Sequence, residues 1–278
     1  MTETSVQAAA EAARTKTEYL RRQPLGYFVL SLLAGVYVGF GIVLIFAIGA
    51  PLMAAGSPAA KLAMGASFGV ALSLVVFAGA ELFTGNNMVM TIGALRRTAS
   101  PGALTAIWVV SFAGNLIGSL ALAWLVARSG VLGGAPHLEV IQKTVATKMS
   151  LPFATLFWRG LLCNWLVCLG VWTAMRSQSE TGKLVMIFWC LFAFIGAGFE
   201  HSVANMTLLG IGLLQPHGAA ISASGFVHNL VPVTLGNIAG GALFVGGAYW
   251  LANQPLRLPL ARPAEARAAV AAESAAGD

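Results

Sequence analysis

The stretch Ala197-Gly198-Phe199-Glu200-His201-Ser202-Val203-Ala204-Asn205-Met206 sets a carboxylate, an imidazole and an amide inside an apolar run from Leu184 to Leu214. Such groups at bilayer depth are costly unless the protein or a water-filled cavity satisfies them. A break in a membrane helix is tolerated on the same condition. A second stretch has the same layout: Ala78-Gly79-Ala80-Glu81-Leu82-Phe83-Thr84-Gly85-Asn86-Asn87-Met88 again places a Glu in mid-run, then a polar patch, then Asn-Met. Further on, Gly114-Asn115-Leu116-Ile117-Gly118 is matched by Gly236-Asn237-Ile238-Ala239-Gly240. Glu81 and Glu200 lie 119 positions apart, and Asn115 and Asn237 lie 122 apart. Two pairs at nearly one offset indicate a duplicated unit.

Working outward, six runs are long and apolar enough to cross a membrane: Tyr27–Ala50, Leu62–Ala80 continuing to about Ala94, Leu104–Arg128, Leu151–Met175, Leu184–Leu214 and Phe226–Leu251. A span takes about 20 apolar residues. The composition agrees, with 58% apolar residues, 9% charged residues and a mean hydropathy of +0.80. Soluble domains carry about 25% charged residues. The fold class is therefore an all-α integral membrane protein. Three spans per half is an odd number, so the halves insert in opposite senses, giving an inverted 3+3 repeat with broken second and fifth helices.

Residues 1–26 contain no short apolar core of a signal peptide, so both ends are expected on one side. Eleven basic residues (Arg14, Lys16, Arg21, Arg22, Arg96, Arg97, Arg176, Lys183, Arg257, Arg262, Arg267) fall in the termini and the loops on their side. Only Lys61, Arg128, Lys143 and Lys148 fall in the opposite loops. The positive-inside rule then makes the termini cytoplasmic. This reads the pI of about 9.6 as topology, since no basic stripe suited to nucleic acid runs along one face. The chain divides into a cytoplasmic segment 1–26, a channel domain 27–252 and a disordered tail 253–278. Within the first segment, Val6, Ala9, Ala10, Ala13, Thr17 and Leu20 predict a short amphipathic helix on the inner membrane surface. Cys163, Cys168 and Cys190 form no CxxC pair and are expected to pack. No metal or cofactor is expected.

Two broken helices meeting near the midplane would surround a pore whose freed N–H groups favour anions. His201 stands in the second break, where imidazole can lend a proton or positive charge to an anion, or simply tie two helices together. Glu81 and Glu200 are expected to accept from N–H groups released by their own breaks, with a proton relay as the alternative. Thr84 is placed to hold His201 or the permeant, or to cap the second half-helix. Lys148 is expected at the outer mouth as an anion attractor, and Arg159 is expected to snorkel to the interface. Asn205 follows Glu200 as further support for its break.

These residues carry a resemblance. Glu81-Leu82-Phe83-Thr84-Gly85 and Gly198-Phe199-Glu200-His201-Ser202-Val203-Ala204-Asn205-Met206 resemble the two signatures of the formate/nitrite transporter family. Pro24-Leu25-Gly26, Cys163-Asn164-Trp165-Leu166-Val167-Cys168 and His228-Asn229-Leu230 resemble its nitrite-channel branch, over about residues 20–252. The resemblance implies an aquaporin-like protomer, a homopentamer with one pore per subunit in a bacterial inner membrane, and passage of small monoanions, nitrite or formate, with protons as possible companions. It implies that His201 is the pore histidine with Thr84 as partner, that Leu72 and Leu82 form an inner constriction, and that Phe68 and Phe194 form an outer one. Asn164 and Asn229 become polar pore or loop-anchoring groups, and Lys148 a vestibule residue. Gly85-Asn86-Asn87 departs from the formate branch and leans toward nitrite, with formate, lactate or hydrosulfide as the alternative. A haem-bearing respiratory subunit using His201 and His228 is a remote competitor, and a water channel is disfavoured by the lack of paired Asn-Pro-Ala loops.

Overall fold

The computed structural model describes residues 2–254, all of whose regular structure is helical. An N-terminal helix α1 (Glu3–Arg22) precedes the first span, α2 (Pro24–Ala54). The second span runs through α3 (Ala60–Ser67) and α4 (Gly69–Phe77), breaks, and resumes as α5 (Phe83–Leu95). The third is α6 (Pro101–Ser129), after which α7 (His137–Ser150) lies between the halves. The fourth is α8 (Phe153–Arg176), and the fifth is α9 (Glu180–Ala197), interrupted before α10 (Ser202–Leu214). The sixth begins as α11 (Ala223–Ala239), passes through a π-helical stretch (Gly240–Gly247) and ends in α12 (Ala248–Ala252). Six of these helical stretches have the length and apolarity to cross a membrane. The tail read as disordered lies outside the described residues from 255 onward.

Each break starts on a glycine held at positive φ: Gly79 at +78° and Gly198 at +76°. Without a Cβ, glycine adopts this left-handed conformation freely and so terminates α4 and α9. Close helix packing frames the breaks. A Cβ on Gly118 would overlap the Leu32 carbonyl of α2, and one on Gly240 would overlap the Leu161 carbonyl of α8. The Gly-Asn motifs thus seat α6 on α2 and α11 on α8, in the manner of small-residue contacts between membrane helices.

α1 turns its apolar face to the protein, so that face is not free to meet lipid. Its face of Val6, Ala9, Ala10 and Ala13 is buried in the protein, with Ala13 against Gly93 of α5. Thr98 donates to the Ala10 carbonyl at 2.7 Å, and Arg96 pairs with Glu3 at 2.5 Å. The alanine face is flat enough to seat on a glycine, which a lipid surface would not require. α7 repeats the arrangement in the second half: Ile141, Val145 and Met149 are buried, and Val145 packs on Gly212 of α10. The three cysteines are buried and unbonded to one another.

Candidate functional site

The two breaks are held by the same set of hydrogen bonds. In the first, Phe83 N–H donates to Asn115 Oδ1 at 2.9 Å, while the Asn115 amide donates to the Ser31 and Glu81 carbonyls at 2.7 and 3.0 Å. In the second, Ser202 N–H donates to Asn237 Oδ1 at 2.9 Å, and the Asn237 amide donates to the Gly160 and Glu200 carbonyls at 2.7 and 3.0 Å. Glu81 N–H reaches the Leu30 carbonyl at 3.1 Å, and Glu200 N–H reaches that of Arg159 at 3.2 Å. Backbone groups freed by a break find no water in hydrocarbon, so these side-chain partners are what allow it. The matched bonds are those of a duplicated unit and agree with the expected inverted repeat.

Both carboxylates are ion-paired. Glu200 accepts from Lys148 Nζ and from Asn205 Nδ2, each at 2.6 Å. Glu81 accepts from Lys16 Nζ at 2.6 Å, Tyr27 Oη at 2.9 Å and Asn86 Nδ2 at 3.1 Å. Lys148, which also donates to Asn205 Oδ1 at 3.2 Å, is carried by α7, and Lys16 by α1. The extra-membrane helices thus deliver one cation to each break. Lys16, Tyr27 and Asn86 were not identified from sequence as partners of Glu81; the matching of Asn86 to Asn205 at the 119-residue offset was the available signal.

His201 is buried at the N-cap position of α10, where its Nδ1 accepts the Ala204 N–H at 3.1 Å. Its Nε2 faces Thr84 Oγ1, also at 3.1 Å. An acceptor Nδ1 carries no proton, so the proton of the neutral ring sits on Nε2 and points at Thr84. Around His201 lies a chamber of about 10 Å³ lined by Val38, Phe68, Ala71, Leu72, Leu82, Val167, Leu191 and Phe194. That is about the space of one water. All four residues proposed for constrictions border it, and the Phe68 and Phe194 rings meet edge to face at 5.4 Å between centroids. The lining is composed largely of repeat-related residues. Val38 matches Val167 at the 129-residue offset of Leu30 and Arg159, and Leu72 matches Leu191 at 119. Leu82 matches His201 at 119, so the imidazole replaces a leucine that caps nothing.

A larger vestibule of about 640 Å³ leads from the α7 side to His201. Ile42, Ile45, Phe46, Phe199 and Leu208 form apolar wall, and Lys143, Thr147, Lys148, Arg159 and Glu200 supply polar groups. Arg159 therefore borders the path to His201, where sequence reasoning placed it at the lipid interface. Asn164 and Asn229 lie behind the path. The Asn164 amide donates to the Thr84 and Asn237 carbonyls at 3.1 and 2.7 Å, tying the two halves together. Asn229 accepts from Asn205 at 2.8 Å and donates to the Lys148 carbonyl at 3.0 Å. His228 is exposed and bonds the Leu151 carbonyl at 2.9 Å, so it shares no site with His201 that could hold a haem between them.

The family described as Formate/nitrite transporter matches residues 3–251. The nitrite transporter NirC of Escherichia coli K12 is 42% identical over 260 residues, covering 94% of this chain and 95% of the relative. A probable formate transporter of Methanothermobacter thermautotrophicus is 41% identical over 263 residues, covering 87% and 94%. Among solved structures, an FNT family ion channel superposes with a TM-score of 0.86 at 42% identity, covering 91% of this chain and all of that one. A pentameric formate channel with formate bound gives 0.68 at 29% identity, covering 82% and 96%.

Proposed function

The chain belongs to the formate/nitrite transporter family, whose matching members are transporters and channels and not enzymes, and from that premise we propose that it conducts nitrite through a pore centred on His201. The observation that carries this reading is the substitution of His201 for a leucine in an otherwise apolar, repeat-related chamber. Duplication explains a matched lining; the fold does not need a capping side chain at Leu82, so the imidazole is there for what passes. Nitrite transporters at 42% and 43% identity favour nitrite, and the probable formate transporter at 41% makes formate the second reading. The Gly85-Asn86-Asn87 departure does not read the cargo: Asn86 is bonded to Glu81 and Tyr27, and Asn87 to Asn164.

A bare anion in an apolar chamber faces a large desolvation penalty. The Nε2–H of His201 is the donor that offsets it, at the point where Thr84 now accepts. Full proton transfer from His201 needs imidazolium, whose Nδ1–H cannot accept the Ala204 N–H. Capping and proton donation therefore exclude each other, and His201 acts as a neutral hydrogen-bond donor while its cap is intact. By the loop-charge asymmetry the termini are cytoplasmic and the vestibule faces outward, in a bacterial inner membrane; a homopentameric assembly is supported by the pentameric formate channel the chain resembles. Nitrite and formate uptake into proteoliposomes tests the reading at about pH 6 and about pH 8, either side of the ordinary imidazole range. His201→Asn keeps a capping side chain and is expected to slow flux while leaving its pH profile unchanged. An altered profile would overturn the neutral-donor role in favour of proton transfer, and absence of anion flux in the wild type would overturn conduction.

A further inference from the structure

The positive charges nearest each break are neutralised. Lys148 is paired with Glu200 and Lys16 with Glu81, each at 2.6 Å, so neither pair presents a net charge to an approaching anion. Of the other charges bordering the α7-side vestibule, Arg159, Lys143 and Glu139, none takes part in an ion pair among the described residues. Their sum is one net positive charge. Arg159 also makes no side-chain hydrogen bond there, although its backbone is fixed at the break through its carbonyl, which holds Glu200 N–H. Its guanidinium is thus anchored at the base and unspent at the tip.

The repeat shows what stands at the matching positions beside the first break. The bonds Glu200 N–H to Arg159 and Glu81 N–H to Leu30 align Arg159 with a leucine. The alignment of Lys148 with Lys16 places Lys143 opposite Glu11, whose carboxylate is itself tied to Arg14 at 2.6 Å. The α7-side mouth therefore carries two cations where the matching first-half positions carry a leucine and an ion-paired carboxylate, and it carries the carboxylate of Glu139 where the first half has Gln7. A concave site with low-dielectric walls focuses the field of such charges, and a guanidinium presents its N–H groups in a planar fork that fits two oxygens on one atom.

We propose that Arg159 is a capture site for planar monoanions bearing two oxygens, at the α7-side mouth alone, with Lys143 adding long-range attraction. The inference rests on anion conduction through this pore. A passive pore has equal low-concentration permeability from either side, so the asymmetry appears in saturation: the half-saturating anion concentration is lower for uptake from the α7 side.

Right-side-out and inside-out membrane vesicles from cells producing the full chain present the two mouths separately, and nitrite and formate are the probes. Arg159→Gln is expected to raise half-saturation from the α7 side about three- to tenfold, the worth of one partly solvated charge-assisted contact, and to change it less than about twofold from the other side. It should also flatten the dependence on ionic strength, which screens an exposed charge. Arg159→Lys is expected to restore the salt dependence and only part of the half-saturation, because it returns the charge without the fork. Equal shifts from both sides, or none, would overturn the capture site while leaving conduction intact; no wild-type flux would instead overturn conduction. Should Arg159→Gln fail to assemble, Lys143→Gln decides the matter: an increase on the α7 side alone supports the proposal, and no change overturns it.

Discussion

Replacing Asn237 by alanine tests whether the buried amide is what permits the second break. Three bonds are lost, but not equally. Gly160 lies inside α8, where its carbonyl keeps its helical donor, so it loses only a second bond. Ser202 N–H stands at the first position of α10, where no helical acceptor exists, and the Glu200 carbonyl lies in the break, with the Ala204 N–H that would have reached it engaged by His201. Two groups are thus orphaned in a residue environment shut off from solvent, at about 1–3 kcal/mol each. The remaining bond contributes about 0.6 kcal/mol, the mean for bonds between membrane helices. The expected loss is about 3–7 kcal/mol. Asn115→Ala removes the mirror-image bonds and should cost the same to within about 1 kcal/mol. Reversible unfolding in mixed detergent and dodecyl sulfate micelles, followed by tryptophan fluorescence, measures both. A loss below about 1 kcal/mol, the size of an ordinary solvated bond, would refute the role of these asparagines. So would a large loss for one variant with a silent partner.

Two further outcomes are expected from the same unfolding assay. Gly79→Ala and Gly198→Ala force a Cβ into left-handed backbone at +78° and +76°, costing about 1–2 kcal/mol each, and asparagine at either position should cost less than alanine; equal stability to wild type would show that the breaks relax. Lys148→Met leaves Glu200, whose side chain is 3% exposed, with Asn205 but no counter-charge. Discounting the 3–5 kcal/mol of a fully buried pair for the 18% exposure of Lys148 gives about 2–4 kcal/mol. The double variant with Glu200→Gln should be the more stable of the two, and a double variant worse than the single would refute uncompensated charge as the cause.

The breaks were legible because polarity in a long apolar run is costly and because the same polar pattern occurs twice. What neutralises Glu81 was not, since Lys16 lies 65 positions away on a helix whose docking no local pattern reveals. Periodicity in residues 6–20 specified an apolar face but not what covers it; lipid and Gly93 satisfy the same alanines. The sequence does not announce α7, because its buried stripe of Ile141, Val145 and Met149 is shorter than any span and mixed with charges facing the vestibule. Asn115 and Asn237 were visible as markers of duplication, and their work as clamps on the breaks follows only from the three-dimensional contact of α6 with α2 and of α11 with α8. Lys148 was legible as a cation near the mouth, but its spending on Glu200 was not. That pairing is the reason the attracting role is proposed for Arg159.

The duplicated frame gives a rule for telling scaffold from function. A substitution at a position whose counterpart makes the same contact, such as Asn115 with Asn237 or Gly79 with Gly198, should act alike in both halves, because each half solves the same problem of ending a helix in hydrocarbon. Positions where the counterparts differ are freed from that problem. Leu82 and His201 occupy the same cap, and Leu30 and Arg159 the same shoulder of a break, yet only the second half carries nitrogen there. Leucine at both first-half positions is compatible with an intact break, so the imidazole and the guanidinium are not demanded by the architecture. They line up along one route, from the α7-side vestibule to the central chamber, and both are hydrogen-bond donors. On the proposed reading, a largely apolar path whose two halves differ by an imidazole and a guanidinium is suited to drawing a small anion out of water and handing it across a chamber about the size of one water.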